Sequence, residues 1–363
     1  MRLLSDAYGI ETKRHRVMKY DERRDVLYRK IVKKIKGSKT GYFWARILHF
    51  RKDEDFREYV RGFQGPDVLM IKHFGLLYPE DFVYYIDIHD MVGFFAMMQF
   101  TLEYLSYAEK FHFIPVINWE GVYAEKELVN NTDNVFEYYY CPVSEISKKD
   151  VPNCKNVIFS CHGQRLAFSV EGSENLTYKG REEIYLKYGV LYKKYCKLNE
   201  KTQDYIDENR NMILGRKKTL GVHIRGTDFK QGYNVHPVRI VPGDFVEPIK
   251  KVMGKCGYEQ IFLATDSLEA ITLFQKEFGD RLVFYQDVQR SDGNIGVQYS
   301  EGKRKNHHYL LGLEVLRDVY TLSACDSLVS GLSNVSSAAR YIKAANGFEY
   351  REVVTLDHGL NVK

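Results

Sequence analysis

A chain of 363 residues, 44% hydrophobic and 28% charged, has the balance of an ordinary globular protein, and its length exceeds that at which single cores usually stop growing, so two domains are expected. No segment approaches the roughly 20 unbroken apolar residues of a membrane span, and the net charge is only +5. The cysteines (Cys141, Cys154, Cys161, Cys196, Cys256, Cys325) have neither metal-ligand nor disulfide-framework spacing, and Met1 to Ser5 lacks a signal-peptide apolar core, so a reducing, cytoplasmic location is expected.

The charge is concentrated at the start. Met1 to Val60 holds 17 Lys/Arg against 9 Asp/Glu, a balance of +8, so the remainder carries −3 of the total +5. Residues 1–60 read as a basic, helical N-terminal segment. Within Asp21 to Lys36, Val26, Ile31, Val32 and Ile35 fall near one helical face with cations over the rest. That pattern suits a solvated surface helix or a peripheral contact with an anionic membrane. Nucleic acid is not expected as a partner, because the basic run lacks interleaved aromatics and the body of the chain is acidic. Asp53-Glu54-Asp55 has an Asp-x-Asp pattern found in metal sites, but no strand leads into it and no metal is expected there.

Residues 61–215 read as a first α/β domain. The runs Val83 to Ile88 and Val116-Ile117-Asn118-Trp119 are strand-like, and they end in His89 with Asp90 and in Glu120. Cys161-His162 is too small a set to hold a metal.

Residues 216–363 read as a second α/β domain with a polar edge. Leu220-Gly221-Val222 alternates into His223-Ile224-Arg225-Gly226-Thr227-Asp228, Gln260 to Ala264 runs into Thr265 and Asp266, and Arg281 to Tyr285 runs into Gln286 and Asp287. Ser327 to Ser330 turns through Gly331, Leu332, Ser333, Asn334, Val335 and Ser336 into a helix start at Ser337-Ala338-Ala339. Helix-length segments with apolar residues every three to four positions, Leu268 to Phe278 and Tyr309 to Ala324, lie between them. Alternating strands and helices predict a doubly wound α/β fold. In such a fold, ligands sit beyond the carboxyl ends of the parallel strands.

Neither a dinucleotide fingerprint nor a P-loop occurs, and Gly331-Leu332-Ser333-Asn334-Val335 lacks the last Gly of a nucleophile elbow. The polar edge instead suits an anion. Ser333 to Ser336 would offer hydroxyls and N–H groups at the positive end of a helix, and Arg225 a bidentate grip on phosphate oxygens. Asp318, in a helical run with buried-looking neighbours, would accept the adjacent N–H donors of guanine and reject adenine, which lacks them. The plainer alternatives are a structural ion pair for Arg225 with Asp228, an N-cap for Ser333, and for Asp318 a salt bridge to Arg317 or Arg340, which for that residue taken alone is the stronger reading.

Together the motifs resemble those of the α-1,6-fucosyltransferase, nodulation-fucosyltransferase and protein O-fucosyltransferase superfamily. The resemblance lies in His223 to Asp228, Ala264-Thr265-Asp266, Asp318 eight residues before Asp326, and Ser333 to Ser336. Upstream, Pro115 to Trp119, Tyr123, Phe136-Glu137 and Cys141-Pro142-Val143-Ser144-Glu145 are similar to the first-domain pattern of the α-1,6 branch, and Val353 to Gly359 is similar to its closing strand. The resemblance spans roughly Asp87 to Gly359 and implies a GT-B-like pair of Rossmann-type domains with a cleft between them. It further implies inverting, metal-independent transfer of fucose from GDP-fucose, with no cofactor. Carried over, Arg225 stabilises the leaving diphosphate with His223 and Asp266 beside it, Asp318 reads guanine, Tyr123 approaches from the first domain, and Ser333, Asn334, Val335 and Ser336 cap the diphosphate.

Departures fall on the acceptor side. The α-1,6 enzymes have a lysine after the motif Asp and a glutamate soon after, where this chain has Phe229 and then Lys230 to Val235 without a carboxylate. Gly93-Phe94-Phe95-Ala96 keeps one Gly where the family commonly has two. Besides Asp228, a base is therefore sought at first-domain strand ends, in Glu120, His89 or Asp90. The acceptor is expected to be an oligosaccharide or glycolipid hydroxyl. Two alternatives stay open, a transferase using another GDP-hexose and a non-catalytic GDP-sugar-binding module. A basic-arm adaptor is a third, resting on the N-terminal charge alone.

Overall fold

A computed structural model describes residues 71–160, 182–227, 232, 236–291 and 293–361. The basic segment 1–60, Asp53-Glu54-Asp55, Cys161-His162, and Asp228 with Phe229 and Lys230 lie outside the described residues. Ile71 aside, those described belong to one compact unit, Lys72–Lys363. No helix among them is long and apolar enough to cross a membrane.

The first sheet runs in the order β1-β4-β2-β3, with β1 at Ile71–Lys72, β2 at Val83–Ile88, β3 at Ile114–Trp119 and β4 at Val157–Phe159. β2 pairs in parallel with both β3 and β4. From Pro115 onward β3 is buried throughout, as a parallel strand covered on both faces should be. Helix α1 (Phe94–Lys110) follows β2 and buries Phe94, Met97, Met98, Thr101, Leu102, Leu105 and Ala108, a stripe at helical spacing. Its N-cap, Gly93, has no side chain to satisfy the first N–H groups, and the Tyr123 hydroxyl does so by accepting from the N–H of Phe94 at 2.9 Å. The many aromatics of the sequence gather here, with the rings of Trp119, Tyr123 and Tyr139 all edge-on to Phe94.

The second sheet is entirely parallel, in the order β7-β6-β5-β8-β9, with β5 at Thr219–Ile224, β6 at Gln260–Thr265, β7 at Leu282–Val283, β8 at Ser327–Gly331 and β9 at Val353–Leu356. This is the doubly wound α/β arrangement, and the strand order reverses between β5 and β8. Leu220, Val222 and Ile224 of β5 point to one face, where helices α4 (Val246–Cys256) and α5 (Leu268–Phe278) supply Ile249, Val252, Ile271 and Phe274. The alternate residues point the other way. A side chain at Gly221 would meet Leu322 and Cys325 at the end of helix α6 (His307–Ala324), so His223, two residues on, also faces α6. Arg281 to Tyr285, expected as a strand, pairs only at Leu282–Val283. Beyond that the Tyr285 carbonyl accepts from Arg290 Nη2 at 2.6 Å, which takes the chain out of the ladder.

Helix α2 (Glu182–Tyr195) lies against α7 (Asn334–Ala345), and α3 (Glu200–Leu214) against α6. The α2–α7 approach requires Gly189, where a Cβ would come within 2.7 Å of the Tyr341 carbonyl oxygen. The two sheets are joined at the start of α6. Its Tyr309 ring stacks on Tyr139 at 5.4 Å, its carbonyl accepts from the Tyr139 hydroxyl at 2.8 Å, and its N–H donates to Glu125 Oε1 at 2.9 Å.

Candidate active site

The carboxyl ends of β5 and β6 and the first turn of α7 (Asn334–Ala345) open into a cleft. His223, Arg225, Asp266, Asp318, Val335 and, from the first sheet's half, Tyr123 line it. Six of the residues expected from sequence to bind a donor are thus brought together.

The turn after β5 is shaped by Asp266. Its Oδ1 accepts from the N–H of Gly226 at 2.7 Å, its Oδ2 accepts from Thr227 Oγ1 at 2.7 Å, and Arg225 Nη1 lies 3.2 Å from the same oxygen. Burial opposes ionisation of Asp266, but Arg225, the Thr227 hydroxyl and the Gly226 N–H outweigh it and hold its pKa below the ordinary value. Gly226 has no room for a side chain, since a Cβ would sit 2.7 Å from that of Ser267. Asp266 therefore positions Arg225, whose Nη2 also lies 3.5 Å from Gln298 Oε1.

Across the reversal of strand order, His223 Nδ1 lies 3.1 Å from Ser333 Oγ. Ser333 is the N-cap of α7, accepting from the N–H of Ser336 at 3.1 Å, and the Ser336 hydroxyl donates to the Gly331 carbonyl at 3.0 Å. Asn334 and Val335 open the helix, in the turn whose N–H groups lack carbonyl partners within it. Burial lowers the His223 pKa to about 4, so the imidazole is neutral near pH 7.

Asp318 lies in the cleft wall on α6 and is only 7% exposed. Among the described residues it has neither a hydrogen bond nor an ion pair. Arg317 instead turns to Asp287 at 2.6 Å, Tyr205 Oη at 2.6 Å and the Tyr285 ring at 3.8 Å, and Arg340 lies over the Tyr185 ring at 3.9 Å. The salt bridge expected from sequence is thus made by Arg317 with a different carboxylate. Burial raises the Asp318 pKa to about 7, against the partial relief given by Arg317 and Arg290. A buried carboxylate without donors on the wall of an open cleft is half of a hydrogen-bonding arrangement.

Sequence reasoning missed the segment between β7 and α6, which supplies Val288, Gln289, Val297 and Gln298 to the cleft wall. Arg290 braces it through the carbonyls of Thr265 (3.2 Å), Val288 (3.2 Å) and Tyr285 (2.6 Å), while Glu314 of α6 accepts from the N–H of Gln289 at 3.0 Å and pairs with Arg304. A lone Arg in a region without periodicity carried no signal; only Glu314, in the helical run with Asp318, was within reach of the pattern.

Glu120 is not in the cleft wall. It lies at the carboxyl end of β3, where His89 Nδ1 is 2.9 Å from its Oε2 and His89 Nε2 is 2.6 Å from Asp87 Oδ2. Among the described residues, no three His, Cys, Asp or Glu side chains are placed to hold a metal ion.

No protein-family model and no curated protein matches the chain. Among solved structures, the chain is similar to the NodZ α-1,6-fucosyltransferase soaked with GDP-fucose, with a TM-score of 0.45 and 18% identity over 73% of this chain and 92% of that one. It is similar also to POFUT1 in complex with GDP-fucose, with a TM-score of 0.45 and 9% identity over 77% of this chain and 98% of that one. A third is the fucosyltransferase NodZ from Bradyrhizobium, with a TM-score of 0.44 and 16% identity over 73% and 92% of the two chains. These values mark a remote likeness, and what the cleft binds is read from its own side chains.

Proposed function

We propose that the chain is an inverting glycosyltransferase that moves fucose from GDP-fucose to a hydroxyl of a glycan or glycolipid, without a metal ion. The observation that carries the reading is Asp318, a buried carboxylate without a partner among the described residues, on the same cleft as Arg225 and the first turn of α7. Guanine offers two adjacent N–H donors to one carboxylate, and its diphosphate would then extend toward Arg225, His223 and the α7 N-terminus. Arg225, fixed by Asp266, meets the charge that develops on the β-phosphate as the bond to the sugar breaks, so a permanent cation and helix N–H groups do the work a divalent ion does elsewhere. Tyr123 closes the nucleotide from the opposite wall, Ser333, Asn334, Val335 and Ser336 cap the diphosphate, and Glu120, with Asp228 beyond the described residues, is the carboxylate for the acceptor proton.

The test is calorimetric titration of GDP and ADP into the wild-type chain and Asp318→Ala. We expect GDP to bind at least ~100-fold tighter than ADP to the wild type, a gap of about 2.7 kcal/mol. Most of that gap should vanish in the variant, because adenine leaves a buried charge without donors. Asp326, whose Oδ2 accepts from the N–H of Thr219 at 2.9 Å on the amino side of the sheet, is the control. Equal preference in Asp318→Ala and wild type would overturn the assignment.

A further inference from the structure

We propose that Asp87, His89 and Glu120 form one acid–base unit, in which Glu120 takes the proton of the acceptor hydroxyl while Asp87 and His89 are positioning residues that hold it charged and aimed. The inference rests on the reading of the chain as a GDP-sugar transferase.

β2 and β3 run in parallel and in register, with Asp87 beside Asn118 and Ile88 beside Trp119, so their carboxyl ends emerge together. His89 fills the gap between the acids that follow. Its Nε2 lies 2.6 Å from Asp87 Oδ2 and its Nδ1 lies 2.9 Å from Glu120 Oε2. A carboxylate only accepts, so both ring nitrogens must carry protons, and the imidazolium is the form that satisfies both contacts. These hydrogen bonds, to Asp87 first and Glu120 second, raise the His89 pKa to about 9 against the effect of burial. His89 is therefore a cation at neutral pH and no base.

The two carboxylates differ. Asp87 is tied down, with Oδ1 accepting from Asn118 Nδ2 at 2.8 Å and its own N–H donating to Ser160 Oγ at 3.1 Å. Glu120 has Oε2 on His89, but Oε1 meets only Asn118 Nδ2 at 3.5 Å, the limit of a hydrogen bond, and its side chain is 44% exposed. Oε1 is thus the oxygen left for a ligand. Asn118 itself is 1% exposed, and its Oδ1 is buried without a partner among the described residues. Lys148, paired with Asp133 at 3.2 Å, is the other charge that bears on Glu120, and burial keeps the Tyr85 hydroxyl un-ionised.

The chain ties the unit to the cleft along both of its strands. Glu120 is three residues from Tyr123, which lines the cleft, a span of at most ~11 Å. His89 is two residues from Met91, whose carbonyl accepts from the hydroxyl of Tyr299, next to Gln298 on Arg225. A hydroxyl between Glu120 Oε1 and the donor's anomeric carbon would lose its proton to Oε1 as its oxygen bonds that carbon. The carbon–oxygen bond to the β-phosphate would break with its electron pair on GDP, and the proton would pass from Glu120 to solvent.

The experiment follows GDP release from GDP-fucose, with water as acceptor, over pH 4–9, with GDP calorimetry in parallel. Glu120→Gln should lower kcat at least ~100-fold with GDP affinity within about twofold of wild type. His89→Gln should retain GDP binding and bring an acid limb into kcat, measured at saturating GDP-fucose, near pH 5–6, because the two acids then share the site without a cation and one of them holds its proton. At the same saturation, where donor affinity does not enter, the wild-type kcat should stay flat to about pH 5. A Glu120→Gln variant as fast as wild type, a His89→Gln profile that superimposes on it, or a wild type that binds GDP yet releases none above the buffer rate overturns the unit. Glu120 is exposed enough to be exchanged without loss of fold, so the first arm stands even where His89→Gln folds poorly. Absence of guanine preference overturns the donor reading as well, whereas intact preference beside an active Glu120→Gln overturns only the acid–base unit.

Discussion

His223 Nδ1 and Ser333 Oγ stand 3.1 Å apart across the point where the strand order of the second sheet reverses, joining the tip of β5 to the cap of α7. One hydroxyl thus serves two elements, accepting the Ser336 N–H at 3.1 Å as it fixes the imidazole. Ser333→Ala should cost about 1 kcal/mol of stability through the lost cap, seen in urea unfolding. It should also weaken GDP binding, because the imidazole loses its anchor. A stability loss with unchanged GDP affinity would make Ser333 a cap alone.

The pH dependence of GDP binding follows from Asp318, whose pKa burial raises to about 7, while that of His223 lies near 4. The carboxylate must be ionised to accept two N–H groups. GDP affinity should therefore be level above pH 7 and fall by up to about tenfold per unit below it. Titrations in buffers of different ionisation enthalpy should show proton release near pH 7. Affinity that does not change between pH 5 and pH 8 contradicts this.

The same shift has a stability sign. An acid whose folded pKa is raised contributes stability in full below its unfolded value of about 4, and loses it as pH rises through the folded value. With Asp318 at about 7, the ligand-free chain carries the full cost of a buried charge above pH 7. Asp318→Asn should thus melt higher than wild type at pH 8, with a difference of at most a few kcal/mol that shrinks toward pH 4. The variant trades binding for stability. A lower melting temperature at pH 8 would show that Asp318 has a partner in solution.

Arg225→Ala should lower GDP release from GDP-fucose by on the order of 100-fold or more, as loss of a fixed cation at developing charge does. Asp266 keeps its bonds to Gly226 and Thr227 in that variant, so the circular dichroism spectrum should remain native. Full turnover with a collapsed melting temperature would instead make the Arg225–Asp266 pair purely structural.

Excess EDTA should leave the initial rate nearly unchanged. Loss of rate restored by Mn²⁺ or Mg²⁺ would overturn charge neutralisation by Arg225 and the α7 N-terminus, and would direct attention to Asp53-Glu54-Asp55.

The second sheet was legible because the runs of β5, β6 and β8 each lead into a polar tip, and the helices between carry their own period. Asp318 stood out by its place in a family-like order, and its separation from Arg317 could not be read locally. Adjacent residues on a helix point about 100° apart, and Arg317 turned to Asp287, thirty residues away in the chain. The same holds for Arg290, whose three carbonyl acceptors define an irregular segment, and for His89, whose two carboxylates arrive from different strands. What periodicity encodes is the scaffold; what fixes the cleft is pairing between distant positions that share no period.

The anchoring of α6 on Glu125 and Tyr139 bears on modular exchange. A chimaera joined between residues 215 and 216 would carry Asp318, Arg225 and the whole second sheet into a new host. It would leave the Tyr309 N–H and ring without the acceptor and stacking partner they have here. The helix bearing Asp318 would then start from an unsupported end. Grafts of residues 216–363 should therefore succeed only when Glu125 and Tyr139 travel with them, so the unit of inheritance is a helix together with its foreign cap rather than a stretch of contiguous chain.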